Sequence, residues 1–221
     1  MISYTQTYHE HVADLWEASG LQGQMSKLIF HRAITGYYNL RYEGKITGNK
    51  VIIVDFRQSS KEKRLYIIDI SKKQLIYRSK VAHGVRSGNK YAIKFSNEKN
   101  SWESSLGFFA TSEKYNGNNG ISLRLDGLDP GYNDNARDRN IVIHGADYVD
   151  SLYVGHSKGC IAIPKDDADS VINMIKGKQC LFVYNRNYKG KLPSIRLNEK
   201  LAEKYYNYIR TGNQLYELLT E

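Results

Sequence analysis

Short apolar runs separated by glycine, asparagine and serine fill the middle of the chain, from about residue 50 to residue 185. Runs of this kind, rich in β-branched and aromatic side chains and bounded by turn-forming residues, are typical of β-strands. The pattern predicts strands at 51–56, 64–70, 122–125, 139–145, 160–164 and 179–185. A β-rich core is therefore expected in this part of the chain.

Apolar residues spaced three and four positions apart predict helices around and within this region. In the first helix Ser26 is the expected cap, Gly36 is expected near the end, and the apolar stripe is Phe30, Ala33, Ile34 and Tyr37. A second helix follows Asp166 or Asp167 and stops at Gly177, with a stripe of Ala168, Val171, Ile172 and Ile175.

A third helix is predicted near the C-terminus, capped by Asn198 and broken near Gly212. Its expected apolar face is Leu201, Tyr205, Tyr208 and Ile209. The chain thus divides into a helical segment at 1–48, a β-rich domain at 49–190 and a helical extension at 191–221.

Composition and charge narrow the class of protein. Apolar residues make up 41% of the chain and charged residues 25%, as in an ordinary folded domain. The longest apolar runs, such as 51–54, fall far short of the ~20 residues of a membrane span. The net charge of +9 favours an anionic partner such as nucleic acid, a membrane surface or a wall polymer. Basic residues are spread along the chain, however, so a solvated basic surface is the simpler explanation of the charge.

Candidate chemistry lies between residues 141 and 164. One strand-like run ends in His144-Gly145, and the next is preceded by Ser157-Lys158-Gly159-Cys160. A thiol with an ordinary pKa is only slightly ionised at neutral pH, so a nucleophilic cysteine needs a base. His144 can supply that base through an ion pair that lowers the thiol pKa. The amides of Gly159 and Cys160 are candidates to face an oxyanion, although a buried core thiol remains the simpler interpretation of the spacing alone.

These residues resemble a known signature. His-Gly, a spacer and Ser-x-Gly-Cys are similar to L,D-transpeptidases of the YkuD type, in the branch called the murein L,D-transpeptidase catalytic-domain family. The resemblance extends over roughly residues 25 to 185, through the blocks at 51–70, 81–97, 104–109 and 139–149. It implies a mostly β fold, a sandwich or mixed-sheet core, flanked by α-helices at the N- and C-termini. The segment 49–190 is then the catalytic domain.

The resemblance also implies a chemistry. Cys160 is the expected nucleophile and His144 its general base, while Ser157 and Gly159 shape the cysteine loop. The resemblance implies a peptidoglycan stem peptide as substrate, attacked at the carbonyl of its third residue with release of D-Ala and transfer to an amine acceptor, and it implies no cofactor. The chain departs from the family pattern at His156, where an arginine is expected, and at Ile161, where proline is common. These departures bear on substrate preference.

Four further residues are candidates for substrate binding, each with a simpler alternative. His83 borders the cleft or merely ends a strand, and His156 replaces the missing arginine or is simply exposed. Arg139 binds a carboxylate or lies on the surface, and Tyr148 is a candidate wall of the groove. No metal site is predicted: His9 and His11 lack a third ligand at zinc spacing.

The resulting expectation is a cysteine acyltransferase in the periplasm or outside the cell, because peptidoglycan is found there. The first residues, MISYTQTYHEH, do not have the form of a secretory signal. Two alternatives stay open: an L,D-carboxypeptidase that uses water as the acceptor, and a wall-binding protein that keeps the fold without turnover. Nucleic-acid binding is not expected, since it leaves His144 and Cys160 unexplained.

Overall fold

The computed structural model describes residues 6–150, 155–186 and 194–211. The helices in these ranges are α1 (Tyr8–Ala18), α2 (Lys27–Tyr42), α3 (Ala168–Ile175) and α4 (Glu199–Thr211). The strands are β1 (Lys50–Asp55), β2 (Leu65–Asp69), β3 (Gln74–Ser79), β4 (His83–Gly84), β5 (Gly107–Gly117), β6 (Gly120–Gly127), β7 (Val142–Ala146), β8 (Gly155–Ser157), β9 (Ile161–Pro164) and β10 (Cys180–Tyr184). Single 3₁₀ turns lie at Asp147–Asp150, Lys165–Asp167 and Ser194–Leu197.

Eight of the described strands form one mixed sheet in the order β3-β2-β1-β10-β5-β6-β7-β9. Adjacent strands in this sheet are antiparallel, except that β1 pairs with β10 and β7 pairs with β9 in parallel. Strands β4 and β8 form a separate two-stranded parallel pair. The predicted fold class, a mixed-sheet core with helices toward both ends of the chain, is confirmed.

The middle of the sheet is covered by helices. Helix α2 contacts β1 and β10, and α3 contacts β5, β6 and β7. Strands buried on both faces have nearly continuous apolar sequences. This explains why 51–55 and 180–184 are buried without alternation.

Gly36 lies inside a helix rather than at its end. Helix α2 continues to Tyr42, and a Cβ atom on Gly36 would lie 2.0 Å from the ring of Phe108. That ring in turn stacks on Phe182, with centroids 4.3 Å apart. The prediction that the helix ends near Gly36 is therefore wrong: the glycine allows the helix to approach the sheet closely.

The two later helices agree with their predicted positions but differ in how well their faces were predicted. All four predicted stripe residues of α3 are buried. Helix α4 begins after Asn198, whose Oδ1 accepts a hydrogen bond from the Leu201 amide at 3.2 Å. Its buried residues are Ala202 and Tyr206, however, while Ile209 is exposed. The buried face of α4 differs from the predicted one because Tyr206 stacks on His11 of α1, with ring centroids 4.5 Å apart. The predicted break at Gly212 lies outside the described residues.

Candidate active site

His144 lies on β7, and Cys160 lies just before the neighbouring edge strand of the mixed sheet. His144 is in β7 opposite Ala162 of β9, and Cys160 immediately precedes β9. Side chains two positions apart on an extended chain share a face, so Cys160 lies on the His144 side. That side faces away from α3, because a Cβ on the next residue, Gly145, would lie 2.6 Å from the Cβ of Ala168. The register thus places the thiol and the imidazole on one face, diagonally across two strands.

The resting imidazole is held in one tautomer. Nδ1 of His144 lies 3.0 Å from the carbonyl oxygen of Gly145, and a carbonyl only accepts hydrogen bonds. Nδ1 therefore carries the proton, and Nε2 is unprotonated. Burial lowers the pKa of His144, which keeps the ring neutral at physiological pH. A neutral ring with an unprotonated Nε2 is able to act as a base.

The thiol of Cys160 is partly exposed and donates a hydrogen bond to the Asn140 carbonyl, with sulfur and oxygen 3.5 Å apart. Burial raises the pKa of the Cys160 thiol, and a hydrogen bond from the Val142 backbone and the charge of Arg139 oppose that rise. Burial disfavours the charged form of each group, so both pKa shifts favour a neutral thiol and a neutral imidazole over the ion pair expected from the sequence.

Internal hydrogen bonds shape the loop before Cys160. Ser157 Oγ donates to the Cys160 carbonyl at 2.8 Å and accepts the Gly159 N–H at 3.2 Å. Gly159 has a φ of +113°, and a Cβ there would lie 2.7 Å from the carbonyl oxygen of Glu103. The glycine thus permits a left-handed turn and close packing against another backbone segment.

Arg139, which lies just before β7, is hydrogen-bonded to the segment 96–105, which contains Glu103. Its guanidinium donates to the carbonyls of Ser96 and Glu103 at 2.6 and 2.7 Å, and to the hydroxyls of Ser101 and Ser105 at 3.0 and 2.5 Å. Four of the five N–H donors of this side chain therefore bond to the protein rather than to a ligand carboxylate. Its charge nonetheless acts on the Cys160 thiol.

His83 is buried away from solvent. Its Nδ1 lies 2.8 Å from Nη2 of Arg64, and its Nε2 lies 2.9 Å from the Gly88 carbonyl. Burial and the neighbouring guanidinium lower the pKa of His83 to about 4, so the ring is neutral. Both ring nitrogens are occupied by the protein, and the side chain fixes the turn after β4.

Tyr148 lies near the Cys160 thiol, and His156 contacts Tyr148. The exposed ring of His156 lies 5.3 Å from the half-buried ring of Tyr148, measured between centroids. Burial raises the pKa of Tyr148 to about 12, and the nearby Cys160 adds to that rise. Of the four candidate substrate-binding residues, Tyr148 is near the cysteine, and His156 reaches this region through its contact with Tyr148.

The sequence patterns do not select Trp102, which lies beside the cysteine loop. Its ring is 40% exposed, and Arg86 Cζ and Lys158 Nζ lie 4.9 and 5.6 Å from its centroid. Its carbonyl accepts the Arg86 amide at 3.2 Å. The only sequence signal is a tryptophan within an otherwise polar stretch, 96–105. An exposed aromatic face between two cations suits an anionic or amphipathic ligand.

A thiol and a tight loop before one strand, with an imidazole on the neighbouring strand, are components of a cysteine-based acyl-transfer site. The sequence family described as "L,D-transpeptidase catalytic domain" (YkuD_2) matches residues 21–184. The chain belongs to this family. A comparison with curated protein sequences gives no significant match.

Solved structures with similar folds include an L,D-transpeptidase from Mycobacterium smegmatis, at 12% identity and a TM-score of 0.40, with 62% of this chain and 59% of that chain covered. The helical cell shape determining protein Pgp2 from Campylobacter jejuni is 14% identical with a TM-score of 0.48, with 80% and 63% covered. An L,D-transpeptidase from Mycobacterium tuberculosis is 13% identical with a TM-score of 0.36, with 62% and 58% covered. The chain thus spans less than two thirds of each. Among the described residues, no helix combines the length and apolarity of a membrane span.

Proposed function

We propose that this protein is a peptidoglycan L,D-transpeptidase of the cell envelope, with Cys160 as nucleophile and His144 as general base. The observation that carries the proposal is the parallel pairing of β7 and β9, which brings the two residues to one face of the sheet. The family match and the Nδ1-protonated tautomer of His144 support it.

In the first half-reaction, His144 Nε2 takes the thiol proton as the Cys160 sulfur attacks the carbonyl of the third stem residue. Ionisation is coupled to attack, because the resting thiol is neutral and its pKa is raised. The Cys160 amide faces the oxyanion, since the Gly159 amide already donates to Ser157. The protonated His144 then gives its proton to the departing D-Ala amine, and a thioester remains.

In the second half-reaction, an amine from a neighbouring stem attacks the thioester. His144 removes the amine proton, the new amide forms, and the thiol of Cys160 regains its proton. Water as the acceptor would instead give a trimmed stem peptide, which is the carboxypeptidase outcome. No step calls for a metal or an organic cofactor.

The surroundings of the thiol suggest how the stem is held. Tyr148 lies near the thiol with its ring 5.3 Å from that of His156, and Trp102 lies between Arg86 and Lys158 near the cysteine loop. In this proposal these residues bind the stem peptide and its carboxylates. Arg139 acts as a positioning residue through the segment 96–105, and His83 acts only through the fold.

Mass spectrometry of tetrapeptide muropeptides tests the proposal. Incubation with the protein is expected to release D-Ala and to form a cross-linked dimer, whereas Cys160→Ala gives neither. Release of D-Ala without a dimer identifies the carboxypeptidase. Cys180→Ala is the matched control, because that thiol is fully buried and its loss leaves the reacting sulfur in place.

Carbapenem labelling separates a catalytic protein from a wall-binding protein. The proposal expects an adduct that maps to Cys160 by peptide mass and is absent from Cys160→Ala. If stems of several compositions stay intact and no adduct forms, the protein is not an acyltransferase.

A further inference from the structure

Three potential metal ligands from three helices meet on the helical side of the molecule: His9 of α1, His31 of α2 and Glu199, the first residue of α4. One ligand atom from each lies within 4.8 Å of the others. The two imidazole rings stack with centroids 6.4 Å apart and planes at 8°. Nδ1 of His31 lies 3.6 Å from Oε1 of Glu199. These three residues are distant in sequence from His144 and Cys160, and they have no part in the proposed acyl transfer.

The neighbours of His9 in sequence are occupied elsewhere. Glu10 accepts hydrogen bonds from the Thr7 amide and hydroxyl at 2.7 and 3.0 Å, which caps α1. His11 is buried, with its Nε2 2.6 Å from the Tyr38 hydroxyl. The local motif His-Glu-His therefore does not form a site. The additional ligands come from α2 and α4.

The backbones that carry the three ligands are held in place by contacts next to them. The Tyr8 hydroxyl lies 3.1 Å from Thr35 Oγ1, which joins α1 to α2. Asn39 of α2 donates to the Asn198 carbonyl at 3.1 Å, directly before Glu199. The ring of Tyr8 also packs on Tyr206 of α4, with centroids 6.0 Å apart. A ligand set on fixed backbones loses little conformational freedom when it binds an ion.

We propose that His9, His31 and Glu199 bind a Zn²⁺ ion, with water as a fourth ligand. Two imidazoles and a carboxylate form a zinc donor set, whereas Mg²⁺ and Ca²⁺ require mostly oxygen ligands. Tetrahedral zinc at bond lengths near 2.0–2.2 Å places its donor atoms about 3.3 Å apart. Rotation of the exposed His9 and Glu199 side chains closes the remaining distance.

The ion links the start of α4 to both N-terminal helices, so its effect is on stability rather than on chemistry. Zinc that binds only the folded state stabilises it by mass action. At a free zinc concentration 100 times the Kd, the Tm is expected to rise by about 5–10 °C. Chelation of the zinc reverses the rise.

Calorimetric titration with ZnCl₂ tests the site. The parent is the full-length, tag-free Cys160→Ala protein, stripped of metal, in which the partly exposed thiol no longer competes for zinc. One zinc per chain is expected to bind. His9→Ala, His31→Ala and Glu199→Gln are each expected to weaken binding at least tenfold. Matched controls are His156→Ala and Glu17→Gln, which remove an exposed histidine and an exposed carboxylate outside the cluster and keep the affinity within twofold.

The Tm of each variant in excess chelator reports whether it folds, and the zinc-dependent rise in Tm is a second readout. The proposal is overturned if the parent shows no saturable binding of one zinc. It is also overturned if folded His9→Ala and His31→Ala bind zinc as tightly as the parent.

Discussion

At the scale of single residues, Gly159 ties the cysteine loop to the segment before β5. Substitution Gly159→Ala places a methyl group 2.7 Å from the Glu103 carbonyl oxygen. It also forces the backbone of an alanine to adopt a φ of +113°. We expect a loss of at least about 3 kcal/mol in the free energy of unfolding, measured by urea denaturation. Displacement of the thiol should also lower stem turnover by about a hundredfold.

The matched control for this prediction is Gly131→Ala. Gly131 has a φ of +78°, but a Cβ there has no neighbour within 4 Å. It therefore carries the backbone penalty alone, about 1 kcal/mol. Equal losses of stability in the two variants would mean that the contact with Glu103 contributes nothing.

The placement of His144 and Cys160 on adjoining parts of the sheet could be predicted from sequence, because each residue adjoins a strand-like apolar run and the resemblance pairs them. Their roles stay predictions. The surroundings of Arg139 and His83 could not be predicted in this way. The partners of Arg139 lie 34 to 43 positions earlier in the chain, and those of His83 include Arg64. Hydropathy patterns do not encode which distant segments a buried donor will meet.

At the scale of elements, the segment 96–105 depends on Arg139. Arg139→Met removes four hydrogen bonds and leaves the carbonyls of Ser96 and Glu103 without a charged donor. We expect a loss of about 2–3 kcal/mol in the free energy of unfolding. Amide hydrogen exchange in 96–105 should accelerate, and stem turnover should fall at least tenfold as the cysteine loop loses its support.

Arg137→Met provides the comparison, because Arg137 lies in the same loop but pairs with Glu113 and Asp126 on the surface. Exposed ion pairs contribute little, so its stability should stay within about 0.5 kcal/mol of the parent. If hydrogen exchange in 96–105 is the same in both variants, Arg139 does not hold that segment.

Elements that consist of one apolar run were predictable from the sequence. Elements that combine buried and exposed residues were not. The run pattern does not predict β3, which is half exposed at the sheet edge, or β5, whose buried first half leads into an exposed, polar hairpin. The buried face of α4 could not be predicted either. Helical spacing shows that a stripe exists, but the packing of Tyr206 on α1 selects which one is buried.

At the scale of the whole molecule, buried histidines make stability depend on pH. The pKa values of His11 and His83 are lowered to about 4, mainly by burial. The unfolded chain binds these protons near pH 6.5, so it gains protons before the folded state does. Stability is therefore complete above about pH 6.5 and falls as the pH decreases toward 4, by up to about 3 kcal/mol per histidine.

Urea denaturation at pH 7.0, 6.0, 5.0 and 4.5 measures this dependence. His83→Asn should reduce the loss of stability between pH 6.5 and 4.5, whatever its effect at pH 7. His156→Asn, at an exposed histidine, is the matched control for the loss of one imidazole. An identical slope for His83→Asn and the parent would show that His83 is protonated equally in both states.

The aromatic contacts among α1, α2 and α4 bear on how this chain can be divided. The family match covers residues 21–184, but the ring of Tyr38 packs against Tyr8, His11, Tyr205 and Tyr206, all outside that range. One continuous core includes residues from Tyr8 to Tyr206. A fragment cut at the limits of the family would retain the thiol and the imidazole but expose the helix on which the sheet rests. The limits of the family match and the limits of the hydrophobic core therefore differ in this chain.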